Sequence, residues 1–93
     1  MTTFWLSFSD AETFLGVAII DIDISGGALS TPEIIRYAWA LGLNPGGAVS
    51  VQEVEGIPAK YKNKLIKDDE LLLRLGSEGR FKGKPAIGRP PFL

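Results

Sequence analysis

The side chains best suited to chemistry are the alternating oxygen donors Asp21, Asp23 and Ser25, which Gly26 follows. Oxygen ligands at alternate positions before a glycine begin a calcium loop, because these side chains turn toward one centre and the glycine permits a sharp bend. The twelfth position of such a loop, where a bidentate glutamate belongs, is Pro32. A strand end with solvent-facing carboxylates, followed by a plain turn, fits the same residues and is the favoured interpretation.

The sequence contains neither cysteine nor histidine, and these two residue types serve much of enzyme chemistry. Their absence excludes thiolate and imidazole ligands, and with them ordinary zinc, haem and iron–sulfur sites. It also excludes the nucleophile pairs in which histidine activates serine or cysteine. The composition therefore favours a non-catalytic protein without a cofactor. A calcium- or magnesium-dependent site at Asp21 and Asp23 is the remaining alternative that involves a metal.

Charge is distributed unevenly along the chain, although the net charge is only −1. Residues 1–59 carry seven acidic side chains and one arginine, whereas residues 60–93 carry nine basic and four acidic side chains. Such asymmetry indicates either an interaction surface or neutralisation of one half by the other within the fold. The candidate partner-binding residues lie in two basic segments: Lys60, Tyr61, Lys62 and Lys64, then Arg80, Lys82, Lys84 and Arg89.

The basic segments at residues 60–67 and 80–89 fit three interpretations, namely solvated charge, binding of an acidic protein surface, and binding of nucleic-acid phosphates. A dedicated nucleic-acid binder is usually strongly basic, and the net charge of this chain is −1. Of the two binding interpretations, we therefore favour a protein partner. A nucleic-acid-associated accessory protein is kept as the alternative.

The two tryptophans, Trp5 and Trp39, are predicted to pack in the core or in a dimer interface. Trp5 lies in an apolar strand and Trp39 on the apolar side of a helix, so this packing is expected rather than stacking on nucleic-acid bases. Hydrophobic residues make up 45% of the 93-residue chain. Because so small a domain cannot hide all of this apolar surface, we expect a homodimeric protein-interaction module.

Alternating and apolar segments predict three β-strands, at residues 4–8, 14–24 and 48–55. The first strand is apolar on nearly both faces, which suits a central position in a sheet. Gly16 marks a bulge or a close contact in the second strand. In the third strand, Val54 falls on the opposite face from Val49 and Val51. This slip predicts a bulge near Gln52 or an edge position.

One long helix is predicted between the second and third strands. Ser30 fits the cap of a capping box with Glu33, and Thr31 followed by Pro32 fits a cap equally well. The helix extends to about Leu41. We therefore predict an α+β fold, in which a three-stranded antiparallel sheet of ββαβ topology and strand order 2-1-3 is covered by this one helix.

The remaining residues predict a short C-terminal helix and a tail. Asp68 caps the helix, which spans residues 69–75. Residues 77–93 contain three prolines and three glycines and carry a net charge of +3. Because Pro85, Pro90 and Pro91 disfavour regular structure, we expect an extended basic tail. The predicted organisation is a single α+β domain at residues 1–76 and a Pro/Gly-rich tail at residues 77–93.

Four motifs carry a resemblance to a known family. These are WLSF at residues 5–8, FLGVAI at residues 14–19, LGLNPGG at residues 41–47 and KNKL at residues 62–65. They resemble a family of small bacterial proteins of unknown function, similar to the cargo of phages and mobile gene cassettes. The resemblance covers about residues 4–75 and implies shared strands, caps and turns. It implies no catalytic residue.

The apolar segments are too short for a membrane span, and no secretory signal is visible. No basic residue precedes the apolar stretch at the start of the chain. The longest apolar run, at residues 14–20, is far shorter than the roughly 20 residues that a spanning helix needs. The sequence therefore predicts a cytoplasmic protein.

Overall fold

A computed structural model describes residues 1–88 as a five-stranded antiparallel sheet with one α-helix on each face. Neither helix in these residues is long and apolar enough to cross a membrane. The elements follow in the order β1 (Thr2–Asp10), β2 (Thr13–Ile22), α1 (Thr31–Ala40), β3 (Ala48–Glu55), a 3₁₀ turn (Ala59–Tyr61), β4 (Lys64–Ile66), α2 (Asp69–Glu78) and β5 (Arg80–Gly88).

The strand order across the sheet is β4-β2-β1-β3-β5, so that β1 is central and β4 and β5 are the edges. Leu6 of β1 pairs with Ala18 of β2 on one side and with Val51 of β3 on the other. The predicted adjacency of the first three strands in the order 2-1-3 agrees with this pairing. Both faces of β1 contribute side chains to a core, because a helix lies over each face.

The first core lies between the sheet and α1. Even-numbered residues of β1 and β2 point into it, together with the inner stripe of α1, where Ile34, Ile35 and Ala38 are buried. Ser30 is the N-cap of α1: its hydroxyl accepts the backbone N–H of Glu33, whose carboxylate accepts the backbone N–H of Ser30. The predicted capping box is therefore confirmed with Ser30, not Thr31, as the cap.

The second core lies between the opposite sheet face and α2. Its buried members come from three strands, the loop after β3 and the helix: Val17, Ile19, Val54, Ile57, Ile66, Leu72 and Leu75. Asp68 caps α2 by accepting the backbone N–H groups of Glu70 and Leu71, as predicted. Two apolar stripes on opposite sides of one sheet thus give a layered helix–sheet–helix arrangement.

The prediction of a three-stranded sheet covered by one main helix is wrong, because the sheet has five strands and a helix on each face. The two missed strands are the edges. β4 has only three residues, too few to show alternation, and β5 contains prolines and glycines that usually interrupt strands. The helix α2, which the sequence predicted as a short C-terminal helix without a place on the sheet, covers the second face.

Val54 reaches the second core without any bulge in its own strand. The pairing of β3 with β1 is regular from Ala48 to Glu53, so Val54 simply faces α2 while Val49 and Val51 face α1. The irregularity opposite Gln52 lies in β5. Between the two pairs that flank it, β3 advances by two residues and β5 by four, so the extra residues form a bulge in β5. The predicted bulge in the third strand near Gln52, or its edge position, is therefore wrong: ordinary alternation directs Val54 into the second core, β3 is an inner strand, and the bulge belongs to β5.

The prediction of an extended tail after Gly76 is corrected for residues 80–88, which form β5 and pair with β3. Pro85 is accommodated because it lies within the bulge of an edge strand, where a missing backbone donor breaks no ladder hydrogen bond. α2 also extends beyond the predicted end at residue 75, to Glu78. Residues 89–93 of the predicted tail, including Arg89, lie outside the described residues.

Two glycines fix the end of the sheet where β1 turns into β2. Gly16 follows a β-bulge at which Leu15 is the extra residue of β2, and a Cβ at Gly16 would lie 3.2 Å from the Ile66 carbonyl oxygen. Gly47 has a φ of +73°, and a Cβ there would collide with the Ser9 carbonyl oxygen. Both positions therefore need the glycine hydrogen in place of a side chain. The expected bulge or close contact at Gly16 is confirmed in both respects.

Candidate interaction groove

An apolar depression lies beside α2, on the part of the second sheet face that this helix does not cover. We call it the α2 groove. Its volume is about 510 Å³. Residues of β1, β2 and α2 line it: Trp5, Ser7, Phe14, Val17, Asp69, Leu72 and Leu73.

The floor of the α2 groove follows from strand alternation. Odd-numbered residues of β1 face α2, which brings Trp5 and Ser7 to this side of the sheet. Val17 lies opposite Ser7 in the neighbouring strand. The short side chain of Ser7 lies between larger apolar groups, and its partner in β3 is Ser50, which is also small. These short side chains leave a depression at the centre of this sheet face, and this depression is the floor of the groove.

The outer wall of the groove exists because of the β-bulge in β2. Ser9 pairs with Phe14 after the bulge, which leaves Leu15 as the unpaired residue. The extra residue reverses the alternation, so that Phe14 lies on the groove side while Leu15 packs against the first core. Phe14 remains 44% exposed. Without the bulge, the two side chains would exchange faces.

The inner wall is formed by α2, whose Leu72 is buried and whose Leu73 projects outward at the rim. Leu73 is 76% exposed, the highest value among the large apolar side chains of residues 2–88. Burial of one leucine side chain is worth about 1.5–3 kcal/mol, so an exposed leucine beside an apolar groove is a strong contact for a partner. Asp69, one turn earlier on α2, is the charged lining residue of the groove.

Trp5 is held in place by an aromatic contact with the edge strand. Its ring meets that of Phe81 in an edge-to-face arrangement, with the centroids 5.2 Å apart and the planes at 77°. Such pairs contribute about 0.5–1.5 kcal/mol beyond the area that they bury. Phe81 is therefore one reason why β5 stays on the sheet. The half-buried Trp5 presents a rigid surface to the groove.

The two tryptophans do not share a surface. Trp5 lies on the α2 side of the sheet and contacts the second core, whereas Trp39 lies on α1 on the opposite side. Trp39 is 39% exposed, and the inner stripe of α1 is formed by Ile34, Ile35 and Ala38. Of the two candidates for core or dimer packing, only Trp5 lines the α2 groove.

Asp21 is held by structural contacts. Its carboxylate accepts a hydrogen bond of 2.6 Å from the Thr3 hydroxyl and forms a 3.3 Å ion pair with the Lys62 ammonium group. The side chains of Asp21 and Lys62 are about four-fifths buried. The favoured interpretation of Asp21 as a solvent-facing strand residue is therefore corrected. The side chain faces the α2 side of the sheet and ties β1 and β2 to the segment before β4.

Asp23 and Ser25 form a local turn. The carboxylate of Asp23 accepts the backbone N–H of Ser25 at 3.0 Å, and this hydrogen bond lowers the pKa of Asp23. Gly27 donates its backbone N–H to Ile24, which closes the turn. Within residues 1–88, no three carboxylates approach one another closely enough to hold a metal ion. The carboxylate of Asp21 is thus engaged by Thr3 and Lys62, and that of Asp23 by the backbone of Ser25.

The candidate basic residues lie at opposite edges of the sheet. Lys60, Tyr61, Lys62 and Lys64 lie at or just before β4, whereas Arg80, Lys82 and Lys84 lie on β5. Three strands separate the two edges, and neighbouring strands are about 4.8 Å apart. The two basic segments therefore do not form one continuous surface in the described chain.

The basic residues of β5 are matched by carboxylates of β3. Lys82 lies 2.6 Å from a Glu55 carboxylate oxygen and 3.8 Å from Glu53, and Arg80 lies 3.8 Å from Glu55. The hydrogen bond and charge of Lys82 lower the pKa of Glu55, and Glu55 in turn raises the pKa of Lys82. These cross-strand pairs explain part of the charge asymmetry, because the basic end of the chain neutralises acidic residues of the first half. Lys84 is exposed within the bulge.

The basic residues near β4 also make local contacts. The Lys60 ammonium lies 5.1 Å from the centre of the Tyr61 ring, within the range of a cation–π interaction. The Tyr61 hydroxyl accepts a 3.4 Å hydrogen bond from Arg74 of α2. Lys64 is exposed on the short edge strand. In this segment Tyr61 therefore contacts α2, whereas Lys62 contacts the sheet through Asp21.

A second depression of about 480 Å³ lies on the α1 side of the sheet. Charged residues at its rim are Asp23, Glu33 and Arg36, with Tyr37 beside them. Glu33 is engaged in the capping box, and its hydrogen bonds with Ser30 lower its pKa. Its carboxylate is thus committed to the start of α1. This depression therefore offers a weaker site than the α2 groove.

Comparisons with protein-family models, with curated protein sequences and with solved structures give no match to this chain. Its function must therefore be argued from its own surface. Sequence reasoning missed Phe14 and Leu73 as site residues. The exposure of Leu73 could have been predicted from the sequence, because Leu73 lies outside the inward-facing stripe formed by Leu72 and Leu75. The sequence gives no such indication for Phe14, because the side of the sheet on which Phe14 lies depends on the β-bulge in β2.

Proposed function

We propose that this protein is a small, non-catalytic interaction module that binds an apolar segment of a protein partner in the α2 groove. The observation that carries the proposal is the combination of a groove of about 510 Å³ with the exposed Phe14 and Leu73 at its two walls. Apolar depressions with aromatic anchors are typical centres of protein–protein recognition. Isolated exposed leucines are common, but a leucine beside such a groove indicates an interaction site.

The chemistry of the lining supports binding in preference to catalysis. Asp69 and Ser7 are the two polar members of the lining, and the other five lining residues are apolar. A partner segment with two or three apolar side chains would fill the groove. A basic side chain at its end would meet the Asp69 carboxylate, which makes polar specificity possible at one rim.

The alternative of a nucleic-acid-associated protein has less support. Lys62, Arg80 and Lys82 are paired with carboxylates, and the two basic segments lie at opposite edges of the sheet. A protein that binds phosphates through these residues would have to break the pairs or, within the described part of the two segments, use Lys60, Lys64, Lys67 and Lys84. The alternative of a cation site at Asp21 and Asp23 has less support for a similar reason, because Asp21 is already paired with Lys62.

The groove can be tested with its own fluorophore. In the variant Trp39→Phe, Trp5 is the only tryptophan, and it lines the groove. Peptides selected on this variant from a random display library are expected to be apolar and to shift the Trp5 emission when they bind.

Leu73→Glu tests whether these peptides use the groove, and Leu41→Glu is its matched control. Leu41 is also an exposed leucine, 45% accessible, but it caps α1 on the other side of the sheet. We expect Leu73→Glu to weaken peptide binding at least about tenfold and Leu41→Glu to leave it unchanged. Peptides that bind both variants equally well, or that leave the Trp5 emission unchanged, would contradict the proposal.

A further inference from the structure

The occupant that best fits the α2 groove is a second copy of this chain. We propose that the protein forms a two-fold homodimer in which the outer sides of two α2 helices pack antiparallel and each Leu73 enters the α2 groove of the other copy. The proposal rests on the proposed function, because it uses the same groove. It goes further by naming the partner and the contacts.

The first argument is self-complementarity. A two-fold interface brings the same patch of both copies together, so the patch must carry a projection and a matching depression side by side. Leu73 is the projection, 76% exposed, and it stands at the rim of the groove that Trp5, Phe14 and Leu72 line. Rotation by 180° about an axis near Leu73 places each projection over the depression of the other copy. Both exposed apolar walls are then covered in one step.

The second argument is the order of charges along α2. Glu70 precedes Leu73 by three residues and Arg74 follows it by one, and both are exposed. When two such helices lie antiparallel with their Leu73 residues at the same height along the axis, Glu70 of one copy lies only two residues, about 3 Å along the axis, from Arg74 of the other. Unlike charges therefore meet twice across the axis. A parallel arrangement would place like charges together.

The third argument is that the edge strands are poorly suited to the other simple way of forming a dimer, which is pairing of one sheet edge with another. Pairing of two β5 strands would bring Lys82 and Lys84 of one copy against the same residues of the other, and Pro85 lacks a backbone donor. Lysine, proline and bulges at an edge strand protect a sheet against edge-to-edge association. The edge strand β4 has only three residues. A second copy therefore finds a better surface at α2 than at either edge.

The size of the contact predicts a weak dimer. α2 has ten residues, which corresponds to about 15 Å of helix. An interface of this length with one groove per copy belongs at or below the lower end of specific interfaces, which bury about 1,200 Å² in total. We therefore expect a dissociation constant of about 10 µM to 1 mM, so that dimers form only at high protein concentration.

Sedimentation velocity of the full chain across this concentration range, together with the emission of Trp5 in the Trp39→Phe variant, tests the proposal. We expect monomer and dimer in concentration-dependent exchange, with a Trp5 shift that follows the dimer fraction. Leu73→Glu should weaken the dimer by about thirtyfold or more, as expected for a central contact. Leu41→Glu should not change it.

Charge reversal tests the antiparallel arrangement. Glu70→Arg alone should weaken the dimer, because it places like charges across the axis, and Glu70→Arg combined with Arg74→Glu should restore it. A protein that stays monomeric throughout, or a dimer that Leu73→Glu leaves intact, would overturn the dimer proposal. If selected peptides still bind the groove of a strictly monomeric protein, the interaction function stands and only the dimer is rejected. If neither a dimer nor peptide binding is found, both proposals fail.

Discussion

Leu75→Ala should unfold the protein much more easily, because Leu75 is the most deeply buried side chain that α2 contributes to the second core. It is 1% exposed, and its neighbours in that core include Val54 and Ile57. Removing a buried leucine side chain costs about 2–5 kcal/mol, depending on how far the surroundings collapse into the space. Leu72 and Ile57 are 8% and 6% exposed, so this core lies near the surface and can relax partly. We therefore expect a loss of about 3 kcal/mol.

That loss is large for this chain. A 93-residue domain has a free energy of unfolding of about 5–14 kcal/mol, so a loss of 3 kcal/mol corresponds to a drop in Tm of roughly 12–24 °C. Urea denaturation followed by circular dichroism measures the change, at protein concentrations at which the chain is monomeric. The control is Leu73→Ala, on the same helix and 76% exposed, which should change the free energy by less than about 0.5 kcal/mol. Equal effects of the two variants would refute a second core beneath α2.

Three further predictions concern local features of the fold. Gly47→Ala should destabilise the protein by at least about 2 kcal/mol, measured by urea denaturation, because its Cβ would collide with the carbonyl oxygen of Ser9 and its φ is +73°. Asp68→Ala should cost about 1 kcal/mol in the same assay, because two backbone N–H groups at the start of α2 lose their acceptor. The pair of Glu55 and Lys82 should make stability depend on pH at both ends, as pH-dependent thermal unfolding would show. Because the pKa of Glu55 is lowered in the folded state, its contribution to the free energy of unfolding is present above pH 4.5 and is lost as the pH falls further. Because the pKa of Lys82 is raised, its contribution is present below pH 10.5 and is lost as the pH rises further.

Each of these predictions has a neighbouring control. Gly46→Ala also places alanine at a positive φ, but its Cβ meets nothing within 4 Å, so it should cost less than the change at position 47. Asp69→Ala changes a carboxylate in the first turn of α2 that does not cap the helix, and its effect should be smaller than that of the cap. Lys84→Gln should leave the pH dependence in place, whereas Lys82→Gln should reduce it. Reversed orders within any of these three comparisons would contradict the structural reasoning.

The elements that were predicted correctly are those whose signals lie within a few consecutive residues. The capping box at Ser30 and the cap at Asp68 each need only a side chain and a backbone N–H two or three residues away. The three long strands show apolar patterns that a single segment carries by itself. Such local hydrogen bonds and periodicities are nearly independent of the rest of the molecule, which is why the start of α2 was predicted correctly and the start of α1 was narrowed to two neighbouring caps, Ser30 and Thr31.

The edge strands of the sheet could not be predicted, because they depend on contacts with distant parts of the chain. β4 is three residues long and exists only because β2 offers it a partner from Val17 to Ile19. β5 carries Pro85 and a bulge, and its place in the sheet depends on Phe81 meeting Trp5 and on the ion pairs of Lys82 with β3. These contacts join residues that are far apart in sequence. A composition rich in proline and glycine therefore looked like a tail.

The sequence by itself determined an antiparallel α+β chain without thiolate or imidazole chemistry, with a central apolar strand and two capped helices. Only the tertiary structure decided that there are two cores, that Asp21 is tied to Lys62, and that the basic residues are split between two edges. It also decided the α2 groove, because one extra residue in β2 turns Phe14 toward α2. The physical reason is that caps and alternation are local, whereas the face on which a side chain lies depends on pairing and register across the whole sheet.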